Sequence, residues 1–380
     1  MSTKLSFTKK MLSQNSFEDV LKETSKKALI IKECHKNPEL YLLAQEKPLN
    51  IKIDDTFPEV LRTEFNGSIY EKDTNKLVCM PSHTFIDVND EDELLGLMKN
   101  ISLPYELEYC EDGTSIRLYN HDGCWITATN RCLNAKYSKW SSKKSFDKMF
   151  WECFDDSLLL NLDKEYTYMF VLRHTENRLV VKHSQDQLVY ICKINNNTGL
   201  EDWNDQFNNP KIERPLKINF GMDIEDITSK DLRHLFNNTK RGIALKFTTK
   251  SGSMFYKLDF PSYTRAKELR GNDPCIYHRY IELLSNEEAV KEFEYLFSEY
   301  KPEFYRIQSE ILQICRDIFR LYISSHVKRS VLVDDKNIHF RTLKQLHAQY
   351  KTTGVRISIR DVVKKVIGLK KHVLVKFLDM

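Results

Sequence analysis

The spacing of apolar residues changes character along the chain. In SFEDVLKETSKKALIIKEC (16–34), Phe17, Val20, Leu21, Ala28 and Leu29 recur at roughly 3.6-residue intervals. This predicts a helix, with Ser16 as N-cap and Asp19 three residues on. From 49 to about 130 apolar and polar residues alternate instead, the mark of half-buried strands. The alternating segments are NIKIDD, GSIYEKDTNKLVCMP and YELEYCEDGTSIRLYNHDGCWITATN. The last holds Asp112-Gly113 and Asp122-Gly123 between apolar residues, and so reads as a meander of three strands. SFDKMFWECFDD (145–156) returns to helical spacing through Phe146, Met149, Phe150 and Cys153. TYMFVL (167–172) and RLVVKH (178–183) read as strands joined at Thr175-Glu176-Asn177, with LVYICKI (188–194) as another strand. DITSKDLRHLFNN (226–238) reads as a capped helix, and GIALKFTTKSGSMFYKLDF (242–260) as a hairpin turning at Ser251-Gly252. From about 284 helical periods dominate, in EEAVKEFEYLFSEY, EFYRIQSEILQICRDIFRLYISSHV, RTLKQLHAQY and RDVVKKVIGL.

The pattern predicts an α+β fold of antiparallel sheets with flanking helices, followed by an all-α C-terminal domain. The expected divisions are an N-terminal helical segment (1–48), a mixed domain (49–285) and a helical domain (286–380).

Composition narrows the function classes. A chain of 380 residues with 41% hydrophobic and 29% charged residues can bury a core without disulfides and is not disordered. No run of 18 apolar residues occurs, so no membrane span is expected. The opening MSTKLSFTKK has no apolar stretch and reads as no signal peptide. The nine cysteines form no CxxC pair and have no His at ligand spacing, which points to reduced thiols, a cytoplasmic setting and no metal site.

The net charge of +4 is unevenly spread. Residues 301–380 carry 17 Lys and Arg against 7 Asp and Glu. Such a block is an electrostatic footprint for a polyanion, most often nucleic acid. Lys328, Arg329, Arg341, Lys344, Lys351, Arg356, Arg360, Lys364, Lys365, Lys370 and Lys371 are the candidates for tracking phosphates, and His339, His347 and Tyr350 are candidates for stacking on or bonding to an unpaired base. The plain alternative is a solvated Lys-rich helical surface, with His347 packed inside.

Several short segments, taken in order, resemble the covalent nucleotidyltransferase superfamily. Within it the resemblance is to ATP-dependent RNA ligases of the bacteriophage tRNA-repair type and their relatives in large DNA viruses. TEFNGSIYEKDTNKLVCMP (63–81) is similar to the strand pair that precedes the nucleophile, and CEDGT (110–114) to the Lys-x-Asp-Gly-Ser nucleophile motif. FVLRHTENRLVV (170–181), RGIALK (241–246), YKLDFPSY (256–263) and ELRGND (268–273) resemble the later motifs. The resemblance implies a ligase-like fold and a former adenylation centre. In the family a lysine attacks the α-phosphate of ATP with Mg²⁺ present, and the AMP passes to an RNA 5′ end.

The charged positions of that chemistry are changed here. Cys110 stands where the resemblance puts the lysine, although Asp112 and Gly113 remain, and no lysine occurs between Lys99 and Lys136. Val171 and Arg241 stand where glutamates hold ribose and metal. Lys257 remains in the last motif but its partner position is Asp259, and Asn66 replaces an arginine. A cation at 241 repels a metal, and a carboxylate at 259 opposes a triphosphate. The reading is therefore a pseudo-ligase that binds RNA or a protein partner in a regulatory or structural role, needing no cofactor. As a viral protein it would act in host cytoplasm or virion. Two readings stay open beside it. One is an active RNA ligase using ATP and Mg²⁺ with a displaced nucleophile, for which Lys246 and Lys257 are the nucleotide-pocket candidates. The other is a protein-interaction scaffold that binds no nucleic acid.

Overall fold

A computed structural model describes residues 16–25, 29–45, 66–204, 207, 209–237, 239–249 and 252–380. The expected strand in NIKIDD lies outside them, as does Ser251 of the expected turn.

The chain divides into two compact units, residues 1–264 and 265–380. The first is α+β. Helix α1 (Phe17–Ser25) is followed by strands β1 (Leu29–Cys34) and β2 (Asn37–Gln45), then β3 (Asn66–Glu71) and β4 (Leu77–Cys79). These four strands form one antiparallel sheet in chain order. The expected helix over 16–34 is thus corrected: it stops at Ser25, and 29–34 is a strand. Strand β2 explains the change. Its Leu40, Leu42 and Ala44 pack with Ile69, Tyr119 and Leu133, while Tyr41 and Leu43 pack with Val20 and Tyr70. The backbone N–H and C=O groups of a buried strand must be paired along both edges, and β1 and β3 supply the partners.

A second sheet has the order β11-β10-β9-β7-β8, from β7 (Thr114–His121), β8 (Cys124–Ala128), β9 (Tyr166–Arg173), β10 (Gln187–Asn195) and β11 (Glu201–Asp202), with β12 (Ile212–Glu213) beside β10. Helix α3 (Phe146–Trp151), capped by Ser145, sets Phe146, Met149 and Phe150 against Ile116, Phe170 and Tyr190 of this sheet. A third sheet has the order β5-β14-β13-β6, from β5 (Ile86–Asp87), β6 (Tyr105–Cys110), β13 (Gly242–Thr249) and β14 (Gly252–Asp259). Helices α2 (Glu91–Asn100) and α4 (Ser229–His234) lie between strands in the sequence, and α4 is capped as expected, by a capping box of Thr228 and Asp231.

The first Asp-Gly is not a hairpin turn, which corrects the expected meander. Strand β6 pairs with β13 in the third sheet, while β7 pairs with β8 and β9 in the second. Asp112-Gly113 is where the chain crosses from one sheet to the other. Only Asp122-Gly123 closes a hairpin, with Asp122 and Gly123 both at positive φ.

The second unit is all helical: α6 (Ile276–Leu283), α7 (Glu287–Leu296), α8 (Lys301–Tyr322), α9 (Phe340–Thr353), α10 (Ile359–Ile367) and α11 (Lys371–Phe377), with α5 (Pro261–Arg270) leading in. Along α8, Phe304, Ile307, Ile311, Cys315, Ile318 and Tyr322 are buried at three- and four-residue intervals, one stripe facing the core. The division falls inside α5, earlier than the expected 286, because Leu269, Tyr280 and Ile281 already belong to the helical core. Among the described residues no helix is long and apolar enough to cross a membrane.

Candidate functional site

Strand pairing builds a grid on one face of the third sheet. Cys110 lies opposite Gly242, and Gly242 opposite Asp259; Glu108, Ala244 and Lys257 form the next row, and Glu106, Lys246 and Phe255 the third. Side chains two apart on a strand share a face, so Glu108 and Cys110 point the same way. Across from them Met169, Phe170 and Val171 of β9 and Ile191 of β10 complete the lining of a cavity of about 210 Å³. Cys110, Gly113, Val171, Arg241 and Lys257, all singled out from sequence, line this one cavity.

Asp112 does not. Its side chain is buried and turned inward: Oδ2 accepts from the amides of Val180 (3.0 Å) and Val181 (2.8 Å), and Oδ1 from Tyr263 Oη (2.7 Å). His183 Nε2 donates to the Asp112 carbonyl at 2.8 Å. This corrects the expected strand over RLVVKH. Residues 178–183 form a loop instead, with the amides of Val180 and Val181 spent on the Asp112 carboxylate rather than on a neighbouring strand. Asp112 is the pin that holds this loop and the start of α5 around the sheet crossing.

The reversed charges prove reciprocal. Arg241 Nε donates to Asp259 Oδ1 at 2.9 Å, and Lys257 Nζ to Asp259 Oδ2 at 3.2 Å and to Asp87. Burial by itself raises the Asp259 carboxyl, but Arg241 and Lys257 outweigh it and hold the group below its ordinary range. The cation at 241 and the anion at 259 are therefore one ion pair on adjacent strands. The hairpin register between 242 and 259 was a signal from which sequence reasoning could have found the pair. It treated them as two separate losses.

Cys110 is 7% exposed, and burial pushes its thiol up to about 12 against the pull of Arg241. The thiolate is the nucleophilic form, so at neutral pH Cys110 is a neutral strand residue. Lys246 is not among the cavity-lining residues. It is buried, its Nζ 3.0 Å from Glu106 Oε2 and 3.5 Å from the centre of the Trp203 ring. Trp203 also packs on His83 and Phe255. Only Lys257 of the two candidate lysines reaches the cavity. Sequence reasoning missed Glu108, which the two-residue strand period could have revealed, and Trp203 and Tyr263, which carry no local signal. It also missed Glu111, whose carboxylate lies 3.3 Å from Arg173.

These residues do not fit a magnesium–triphosphate. Mg²⁺ on a nucleotide is usually held through one or two protein carboxylates together with phosphate oxygens and waters. Asp259 is taken up by two cations, and burial raises the Glu108 carboxyl to about 7. Among the described residues no group of three or more His, Cys, Asp or Glu is placed to hold a metal ion. The cavity is also smaller than the ~300–1,000 Å³ usual for ligand pockets.

In the helical unit, Lys328, Arg329, Arg341, Lys344, Lys351, Arg356, Arg360 and Lys364 are exposed, and Lys365 and His347 half-buried. Arg341, Lys344 and Lys351 follow one stripe of α9, away from its buried Thr342, Leu343 and Leu346. Among the described residues none of these cations has a carboxylate within ion-pair distance; Lys371, also expected to track phosphates, is the exception, its Nζ taken up by Asp273 at 2.8 Å.

No family model matches the chain. Among curated proteins it is similar to the Immediate-early protein ICP-46 homolog of Invertebrate iridescent virus 6, 26% identical over 297 residues, covering 67% of this chain and 63% of that protein. The homolog of Invertebrate iridescent virus 3 is also 26% identical, over 284 residues, covering 71% and 61%. Immediate-early protein ICP-46 of Frog virus 3 (isolate Goorha) is 24% identical over 225 residues, covering 52% and 54%. The chain thus spans between about half and two thirds of the length of these relatives. Among solved structures it is similar to an archaeal ATP-dependent RNA ligase, with a TM-score of 0.47, 10% identity and coverage of 79% of this chain and 76% of that one. It is also similar to the RNA ligase of Naegleria gruberi, with a TM-score of 0.32, 13% identity and coverage of 50% and 59%.

Proposed function

We propose that this chain is a ligase-like protein without nucleotidyl-transfer activity that binds RNA through its basic helical unit, in a regulatory or structural role within a viral assembly. One observation carries the loss of chemistry. The cavity that gathers the motif positions holds a buried neutral thiol where an amine would attack, and its charges neutralise one another through Arg241, Asp259, Lys257 and Asp87. Transfer of a nucleotidyl group relies on charge stabilisation of the phosphate oxygens, and a closed set of ion pairs has none to offer. The RNA-binding half is supported by Lys328, Arg329, Arg341, Lys344, Lys351, Arg356, Arg360 and Lys364, which are exposed and, among the described residues, have no carboxylate within ion-pair distance. The viral setting is supported by relatives described as immediate-early viral proteins.

The second reading is an active ATP-dependent RNA ligase with a displaced nucleophile, and one observation favours it: Lys257 lines the same cavity as Cys110. Its Nζ is engaged by both Asp87 and Asp259, and an ion-paired ammonium has no free electron pair with which to attack. The two readings separate on incubation of the purified chain with labelled ATP and Mg²⁺ or Mn²⁺. The expected outcome is no covalent label. A covalent adduct that survives denaturation and alkali, is released by acid as a phosphoramidate is, and disappears in Lys257→Ala would establish the second reading instead.

A further inference from the structure

Four rings form a ladder in the helical unit. Tyr322, at the end of α8, stacks on His326 with centroids 5.2 Å apart and 11° between planes. His326 lies 4.6 Å from His347 of α9. One turn further along α9, Tyr350 lies 6.0 Å from His347 at 28°. The ladder runs from Tyr322, 3% exposed, outward to Tyr350, 40% exposed. Burial and the neighbouring His347 hold His326 below the ordinary imidazole range. His326 is thus uncharged at neutral pH, and the close His326–His347 approach carries no charge repulsion.

The backbone between α8 and α9 is unusual at this point. Residues Ile323–Val327 form a π turn, closed by the Lys328 amide to the Ile323 carbonyl at 2.8 Å. Arg329 follows at φ +57°, and the Ser330 amide donates to the Ser324 carbonyl at 2.9 Å. Single π turns and non-glycine residues at positive φ are uncommon and concentrate at functional sites. Here they set His326 against His347, and Lys328 and Arg329, two and three residues on from His326, are exposed. On α9, Lys344 and Lys351 stand three residues before and four after His347, positions that share its helix face. Lys344 is further steadied over the Phe340 ring, 4.7 Å from its centroid. His347 Nδ1 is buried without a hydrogen-bond partner. What this part of the molecule offers is therefore ring faces flanked by cations.

We infer that the Tyr350 end of this ladder is a stacking platform for an unpaired RNA base, with Lys328, Arg329, Lys344 and Lys351 engaging the flanking phosphates. Stacking needs an open base face, which a duplex interior does not present, so the site selects single strands. This rests on the RNA-binding half of the proposed function and names the chemistry of its site.

The test uses the full chain and a short single-stranded RNA carrying 2-aminopurine, titrated at two salt concentrations. Wild type is expected to quench the probe and to bind the single strand more tightly than the matching duplex. Tyr350→Ala is expected to weaken binding about tenfold and to remove the quenching, with the salt dependence unchanged. Tyr350→Phe keeps the ring and is expected to behave as wild type, which separates stacking from a general defect. If wild type binds with a steep salt dependence while Tyr350→Ala binds and quenches equally, the platform is refuted and RNA binding stands. Equal affinity for duplex has the same consequence. If wild type binds no RNA even at low salt, both proposals fall.

Discussion

Glu108 shows how one side chain reports on the cavity. Burial raises its carboxyl to about 7 from an ordinary 4.5, against the pull of Lys246. Between those values the folded chain keeps a proton that the unfolded chain has released, so stability falls as pH rises through this window and levels off above it. Glu108→Gln removes the ionisation. In urea unfolding measured from pH 4.5 to 8, the variant is expected to lose that decline and to exceed wild type above pH 7 by up to about 3 kcal/mol. A decline of the same size in both proteins would mean that another group titrates. Asp259 works in the opposite sense: held low by Arg241 and Lys257 despite burial, it contributes stability that is lost only as acid reaches its depressed range.

At the level of strands, two motif glycines are explained by space and not by backbone angle. A Cβ on Gly242 would stand 2.1 Å from the Leu258 carbonyl oxygen, and one on Gly113 would stand 2.5 Å from that of Leu172. Each sits where one strand passes close to its neighbour. Gly242→Ala is expected to push β13 from β14 and to lower stability by about 1–3 kcal/mol, read as a drop in Tm. A Cβ on Gly96 of α2 would meet nothing within 4 Å. Gly96→Ala is therefore the control, expected to be neutral or to stabilise by about 0.5–1 kcal/mol. Equal losses at both positions would show that crowding is not the cause.

For the molecule as a whole, the excess of positive charge belongs to the later part of one unit, residues 301–380. The basic block lies in the helical unit, which begins at Arg265. RNA binding is expected to weaken steeply with salt, the slope growing by about 0.7 for each phosphate contacted on a single strand. Replacing Arg341, Lys344 and Lys351 together by Gln is expected to flatten the slope by roughly 2, if each meets one phosphate. Filter binding across a salt series checks this. A slope near zero for wild type would favour the protein-interaction scaffold.

Elements that depend on near neighbours were legible in the order of residues alone: the stripe along α8, the capped helix α4, the Asp122-Gly123 hairpin and the pairing of β13 with β14. Motif order also picked out Cys110, Val171, Arg241 and Lys257, without revealing that they share a cavity. Which sheet each strand joined was settled by the folded chain. Alternation marks a strand but not its partner, so the chain on either side of Asp112-Gly113 looks like one hairpin whether β6 pairs with β7 or with β13. The same holds for RLVVKH, whose apolar run is equally suited to a strand edge or to wrapping a buried carboxylate. Partner choice is a competition among distant segments for the same amides and the same buried surface, and no local pattern records its outcome.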